Sequence, residues 1–240
     1  MVSSRPTACA YYVGTAKYRE VTKMTSRDAI LQRVHSELSK YPPVAAPPTP
    51  EVWPTTSPTP AEMAERFAAE LMAVQGEAIR CGTMQDAQRR LAELVSQAGW
   101  TSIGGMDRPL VREAAGNLPS SSVNWQMADW PAARMAQLSA SVIEPEALLA
   151  DTGSCVIACP TAQDRLLCYL PPACVVVART GQLAEHLPAA WASLAPRVAD
   201  PAMQGEFVIV TGPSRTADIE KILILGVHGP KRLVVLLVDG

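Results

Sequence analysis

The amino-acid sequence predicts an α/β protein with a mostly parallel sheet that helices cover on both faces. In its C-terminal part, four short apolar runs alternate with longer segments that include helical patterns; the runs are residues 155–158, 173–178, 207–210 and 233–238. Nearly continuous apolar strands are typical of a sheet buried on both faces, and such sheets are mostly parallel with right-handed crossovers. We therefore expect residues 60–240 to form one α/β domain.

Composition and charge exclude several classes of protein. Hydrophobic residues make up 48% and charged residues 18% of the 240-residue chain, which is enough to bury a sizeable core. The formal charge of -2 provides no basic field that would attract nucleic acid or an anionic membrane surface. The longest apolar stretches, residues 222–227 and 233–238, are far shorter than the roughly 20 residues needed to cross a bilayer. We therefore expect a cytoplasmic protein that binds neither nucleic acid nor membranes.

The N-terminal part divides into three predicted segments. Residues 1–23 show no periodicity and no signal-peptide pattern, so we expect an extension outside the fold, with Met24 as the more natural start. Residues 24–40 carry a capping-box-like start and an amphipathic stripe, which predict a helix at about residues 27–39. Residues 41–59 contain recurrent prolines, which remove backbone donors and predict an extended linker.

Local start and stop signals predict the elements that follow the linker. A threonine cap, an N1 proline and an N3 carboxylate predict a helix over residues 60–75. A short strand is expected at 78–80, and a capped helix that a glycine ends is expected over 84–97. Further along, the Gly104–Gly105 pair indicates a loop, and a helix is expected near residues 132–138. These elements give an α-β-α order at the start of the domain.

The sequence shows no pattern that would bind a cofactor or a metal ion. None of the six cysteines has the spacing of CxxC or of an iron–sulfur ligand run, and Cys155 and Cys174 lie in apolar strand-like runs. We therefore expect reduced, ordinary buried thiols. The chain has no GxGxxG sequence and no P-loop sequence, and its three histidines do not suggest a metal site. No cofactor is expected in this chain.

The most informative stretch of the sequence is residues 207–230. We interpret it as a strand, a tight turn at Gly212–Pro213, and then a helix, because Ile219, Ile222 and Leu223 have i, i+3, i+4 spacing. The start of such a helix has serine and threonine caps and acidic residues in its first turn, where the helix dipole favours negative charge. The motif therefore predicts a strand–turn–helix unit.

This unit has a functional and a structural interpretation. Backbone N–H groups at the turn, with Gly212, Ser214, Arg215 and Thr216, would form a carboxylate or phosphate site at the carboxyl end of a strand. The alternative is a well-capped structural helix, since the same capping residues would be needed in either case. His228 follows in a glycine-rich loop, where it acts as a general acid or base or simply binds a backbone carbonyl. The residues leave both choices open.

Several ordered motifs resemble the LUD-domain family of lactate-utilisation proteins: residues 150–153, 165–167, 170–172, 211–220 and 226–230. The likeness covers about residues 24–240, and it departs from the family pattern in having Ser154 where threonine is common. It implies a fold similar to the ribose-phosphate isomerase and CoA-transferase-like superfamily. It also implies a subunit that works beside iron–sulfur subunits, which would hold the clusters, in oxidising L-lactate to pyruvate.

Two classes of function follow from the resemblance. The chain is either such a subunit, which binds a small carboxylate, or a free-standing enzyme that acts on a sugar phosphate or an acyl-CoA, as relatives in the superfamily do. We expect the site where the turn 211–216 meets the loop 226–230 and the Thr152–Gly153 turn. The physical reason is that ligands of open parallel sheets bind outside the carboxyl ends of the strands.

Overall fold

The computed structural model describes a chain that separates into two units, Met1–Pro50 and Glu51–Gly240. The residues described are 25–41, 53, 56–200, 203, 205–217, 223–226 and 228–239. In the first unit, helix α1 spans Ser26–Leu38 and starts with a capping box at Thr25, which confirms the predicted N-terminal helix. The predicted extension and most of the predicted linker lie outside the described residues.

The second unit has six described helices, and three of them match the helices predicted at residues 60–75, 84–97 and near 132–138. The six are α2 (Pro60–Ala73), α3 (Met84–Ala98), α4 (Pro109–Ala114), α5 (Ala132–Met135), α6 (Ala162–Tyr169) and α7 (Leu187–Val198). Thr59 caps α2 and Thr83 caps α3 through side-chain hydrogen bonds, and Gly99 ends α3 in the left-handed conformation. Among the described residues, no helix is long and apolar enough to span a bilayer.

Twelve strands are described, and ten of them belong to two larger sheets. They are β1 (Glu77–Cys81), β2 (Ile103–Gly105), β3 (Val123–Asn124), β4 (Ala140–Ile143), β5 (Ala147–Leu149), β6 (Ser154–Cys159), β7 (Ala173–Arg179), β8 (Leu183–Ala184), β9 (Glu206–Val210), β10 (Arg215–Ala217), β11 (Leu223–Leu225) and β12 (Arg232–Val238). The strands predicted from apolar runs are β6, β7, β9 and β12, so all four runs form strands.

The main sheet is parallel throughout, with the strand order β1-β12-β7-β4-β2-β3. Both of its faces are covered. Val175 and Val234 face a core that includes Leu91 of α3, whereas Val176 faces a second core that includes Phe67 of α2. This arrangement confirms the predicted α/β class with a mostly parallel sheet.

Two of the four predicted core strands belong to a different sheet. Strands β6 and β9 lie in a four-stranded mixed sheet with the order β8-β5-β6-β9, in which β6 is antiparallel to both β5 and β9. All six residues of β6 are buried, so its apolar run looks the same as that of a parallel core strand. In β9 exposure varies along the strand, which is typical of a half-covered sheet.

The helix predicted after Gly212 is wrong. Arg215–Ala217 is strand β10, which pairs in antiparallel register with β11, Leu223–Leu225. The cause is an ambiguous signal, because a run of isoleucine and leucine with only one i, i+3, i+4 set fits a strand as well as a helix. The predicted apolar positions 219 and 222 lie outside the described residues.

The loop predicted at the glycine pair is also wrong, since both glycines lie in buried strand β2. A Cβ atom on Gly104 would lie 2.6 Å from Leu167 Cδ2, and one on Gly105 would lie 2.6 Å from Trp125 Cε3. Neighbouring side chains therefore pack directly on the strand backbone. The glycines are needed for this close approach and do not form a turn.

Candidate functional site

The turn 211–214 leads from β9 into β10, and a close contact with α2 fixes its shape. Gly212 has a φ of +76°, and a Cβ atom there would lie 2.8 Å from both Val74 Cγ2 and Val74 O. Only glycine adopts this conformation without a steric cost. The glycine that the sequence analysis assigned to an anion-binding turn therefore has a structural role next to the end of α2.

Ser214 joins this turn to the loop that carries His228. Its backbone N–H donates a 2.8 Å hydrogen bond to Pro230 O, and its carbonyl accepts one of 2.8 Å from Gly226 N. Gly229 lies against the Ser214 side chain, where an added Cβ atom would be 3.0 Å from Ser214 Cβ. The structure thus brings together two motifs whose residues Arg215 and His228 are 13 positions apart in the sequence.

A cavity of about 390 Å³, the Arg215 cavity, opens between these segments. Its walls include Ser214, Arg215 and His228, together with the phenol group of Tyr169 and the apolar side chain of Ile209. Arg215 and His228 are both exposed to solvent. No aspartate or glutamate occurs among the described lining residues. The cavity therefore combines a permanent positive charge with hydrogen-bond donors, a set that suits an anion.

Gly212 also lines this cavity, whereas Thr152 and Gly153 lie outside it and Thr152 connects to it through hydroxyl groups. Ser154 Oγ lies 2.8 Å from Thr152 Oγ1 and 2.7 Å from Thr211 Oγ1, so a chain of three hydroxyl groups reaches the cavity wall. Gly153 has a φ of +61°, and a Cβ atom there would lie 2.7 Å from Leu71 Cα. The Thr152–Gly153 turn thus packs on α2. Thr216 lies in β10, and its side chain is not among those described.

The position of the cavity in the fold differs from the predicted one. The cavity is lined by Pro230 and Tyr169, which precede β12 and β7 respectively, and Lys231 N donates to Pro172 O at 2.8 Å. It therefore lies beside the amino ends of these two parallel strands. The prediction that it lies outside the carboxyl ends of the parallel strands is wrong, because β9, which leads into it, belongs to the mixed sheet.

Two residues of the cavity wall, Cys168 and Tyr169, were missed in the sequence. Their one signal in the sequence is that they stand directly before the Leu170–Pro172 motif. The Cys168 thiol lies 3.9 Å from that of Cys159, and contact with Cys159 and burial together raise its pKa. Burial also raises the pKa of the Cys174 thiol to about 12. These thiols are therefore protonated, and the five described cysteines are free and buried.

The described residues contain no cluster of three or more side chains that could hold a metal ion. In the Arg215 cavity, an arginine and a histidine lie beside hydroxyl groups. The cavity is located where the parallel sheet meets the mixed sheet. An α/β domain with these motifs belongs to the LUD domain family, whose family model matches residues 64–238 of this chain.

The chain is also similar to individual proteins over part of its length. The chain is 34% identical over 108 residues to Lactate utilization protein C of Bacillus pumilus, covering 44% of this chain and 45% of that protein. It is 33% identical over 108 residues to the uncharacterized protein YkgG of Escherichia coli, covering 43% and 45% respectively. In these two matches the chain spans about half the length of the relatives.

Two further comparisons extend over more of the chain. Lactate utilization protein C of Geobacillus sp. (strain WCH70) is 23% identical over 189 residues, which cover 74% of this chain and 78% of that protein. The crystal structure of a DUF162 family protein from Deinococcus radiodurans superposes with a TM-score of 0.57 at 17% identity. That match covers 75% of this chain and 99% of the other chain, and it shows that the two proteins share a fold.

Proposed function

We propose that this chain takes part in lactate utilisation, as a cytoplasmic subunit that binds a small carboxylate and works with iron–sulfur partner subunits. Membership of the LUD domain family and similarity to proteins named Lactate utilization protein C support this role. The sequence has no iron–sulfur or dinucleotide motif, which favours a chain that binds the carboxylate while partner subunits carry the electrons. Oxidising L-lactate to pyruvate releases two electrons and two protons, and the partners' clusters would accept the electrons.

The Arg215 cavity is the observation that carries the proposal. Its described lining offers the guanidinium of Arg215, the imidazole of His228 and the hydroxyl of Ser214, and no carboxylate that would repel an anion. A guanidinium has a planar fork of donors that matches a carboxylate. Arg215 would bind the carboxylate of lactate, and His228 or Ser214 would hydrogen-bond its hydroxyl group.

Calorimetric titration with L-lactate, pyruvate and inorganic phosphate tests this site. The Arg215→Ala variant should bind lactate more weakly by about 1.5–3 kcal/mol, which is the usual contribution of a charge-assisted hydrogen bond. Its melting temperature should be unchanged. Arg90→Ala is a matched control, since Arg90 is exposed on α3, pairs with Glu93 and does not line the cavity. If Arg215→Ala lowered stability and left lactate affinity unchanged, Arg215 would be structural and the proposed site would be refuted.

A further inference from the structure

A second cleft lies at the carboxyl ends of the parallel strands, at the opposite ends of the strands from the Arg215 cavity. It has a volume of about 330 Å³ and begins where β2 ends at Gly105. Its walls come from the loop after β2, the loop after β3 and the first turns of α6. Ligands of open parallel sheets bind outside the carboxyl ends of the strands, so the topology favours this position.

Arg108 provides a positive charge in this cleft, which Asp107 and Asp164 also line, and neither of these carboxylates pairs with it among the described residues. It is half-buried, and among the described residues its side chain donates one long hydrogen bond, of 3.5 Å from Nη2 to Ala158 O. Among the described residues it forms no ion pair, whereas the neighbouring Arg112 pairs with Asp107. A half-buried guanidinium normally has an acceptor, so Arg108 has the capacity to bind an anionic group of a ligand.

Groups that bind hydroxyls lie in the same cleft. The side-chain amide of Gln163 is half-buried and has no hydrogen-bond partner among the described residues. Asp164 uses its Oδ2 atom to accept from Thr161, at 3.1 Å from the backbone N–H and 2.6 Å from the hydroxyl, and no described group donates to its Oδ1 atom. Carboxylates oppose a ligand that is purely anionic but accept hydrogen bonds from hydroxyl groups.

Glu144 lies at the same edge of the main sheet. It follows β4 directly, and its Oε2 atom is buried without a hydrogen-bond partner among the described residues. Burial raises the pKa of Glu144, Arg108 lowers it in part, and the two side chains form no ion pair among the described residues. Buried polar atoms without partners are uncommon and mark places where water or a ligand completes the structure.

We propose that this cleft, the Arg108 cleft, binds a small hydroxylated anion, such as a sugar phosphate or a sugar acid. Arg108 binds the phosphate or carboxylate, and Gln163 and Asp164 bind hydroxyl groups. The apolar side chains of Trp125 and Leu167 cover the carbon skeleton. This inference is independent of the proposed carboxylate site.

The test uses the indole N–H resonance of Trp125 in the full chain labelled with nitrogen-15, assigned with a Trp125→Phe variant. Glucose 6-phosphate, gluconate, glucose and inorganic phosphate are titrated separately, so that phosphate and carboxylate ligands are distinguished. At least one of the two hydroxylated anions should shift this resonance and bind more tightly than glucose or inorganic phosphate. Arg108→Gln should weaken that binding at least about tenfold. Arg215→Ala should leave it unchanged, because Arg215 lines the other cavity.

A second variant keeps the test decisive if Arg108→Gln fails to fold. Gln163→Ala should weaken binding of the hydroxylated anion and leave binding of inorganic phosphate unchanged. The proposal is overturned if neither hydroxylated anion shifts the Trp125 resonance, if inorganic phosphate binds equally well, or if a folded Arg108→Gln variant binds like the parent chain. Loss of binding in Arg215→Ala alone would assign the ligand to the Arg215 cavity and would also overturn it.

Discussion

Replacing Gly153→Ala should destabilise the domain strongly, because two separate costs combine at this position. The residue has a φ of +61°, and the left-handed conformation costs a residue with a Cβ atom about 1–2 kcal/mol. The added methyl group would also lie 2.7 Å from Leu71 Cα and would overlap Leu71 N, and both are backbone atoms of α2. Overpacking of this kind costs about 1–3 kcal/mol, so the expected total is about 2–5 kcal/mol.

Thermal unfolding followed by circular dichroism measures this loss. For a domain of this size each kcal/mol lowers the melting temperature by about 2–4 °C, so Gly153→Ala should lower it by about 4–20 °C. Gly99→Ala is the matched control, since Gly99 has a φ of +66° and an added Cβ atom would meet nothing within 4 Å. It should show only the backbone cost of about 1–2 kcal/mol. Equal losses in the two variants would refute the contact between the Thr152–Gly153 turn and α2.

Two other predictions concern pH and electron transfer. Burial raises the pKa of Glu144, and Arg108 offsets this only in part, so the folded state loses stability as the pH rises through the folded-state pKa. Glu144→Gln should therefore raise the melting temperature at about pH 8. At about pH 4, near the ordinary pKa of glutamate, it should hardly change the melting temperature. An equal rise in melting temperature at the two pH values would contradict the effect of burial. We also expect the purified chain to reduce no dye with L-lactate until iron–sulfur partners are added, whereas lactate-dependent reduction by the chain by itself would contradict the subunit role.

Local sequence signals allowed individual helices and strands to be predicted. The arrangement of the strands in sheets depends on long-range pairing and could not be predicted in full. The caps at Thr59 and Thr83 act within one turn of their helices, so α2 and α3 could be located from the sequence. The partner of a strand is set by residues far away in the chain. The apolar runs of β6 and β7 therefore predict strands but do not indicate that these belong to different sheets.

For the candidate site too, the sequence identified residues but not the contacts that bring them together. The sequence motifs placed Ser214, Arg215 and His228 together as candidates, and the structure brings all three to one cavity. Their proximity depends on the pairing of β10 with β11 and on the Ser214–Pro230 hydrogen bond, neither of which has a local signal. The Arg108 cleft was missed because Gly104–Gly105 resembles a loop, and only the packing of Trp125 and Leu167 on the strand explains these glycines.

The walls of the Arg215 cavity come from chain segments that are far apart in sequence, so the cavity exists only in the folded protein. Any molecule that binds there binds the native state and not the unfolded chain, and by mass action it must raise the free energy of unfolding. At a concentration of 100 times its dissociation constant the gain is about 2.7 kcal/mol. For a domain of this size that corresponds to a rise of about 5–11 °C in melting temperature. A library of organic acids can therefore be screened by thermal shift without a known reaction.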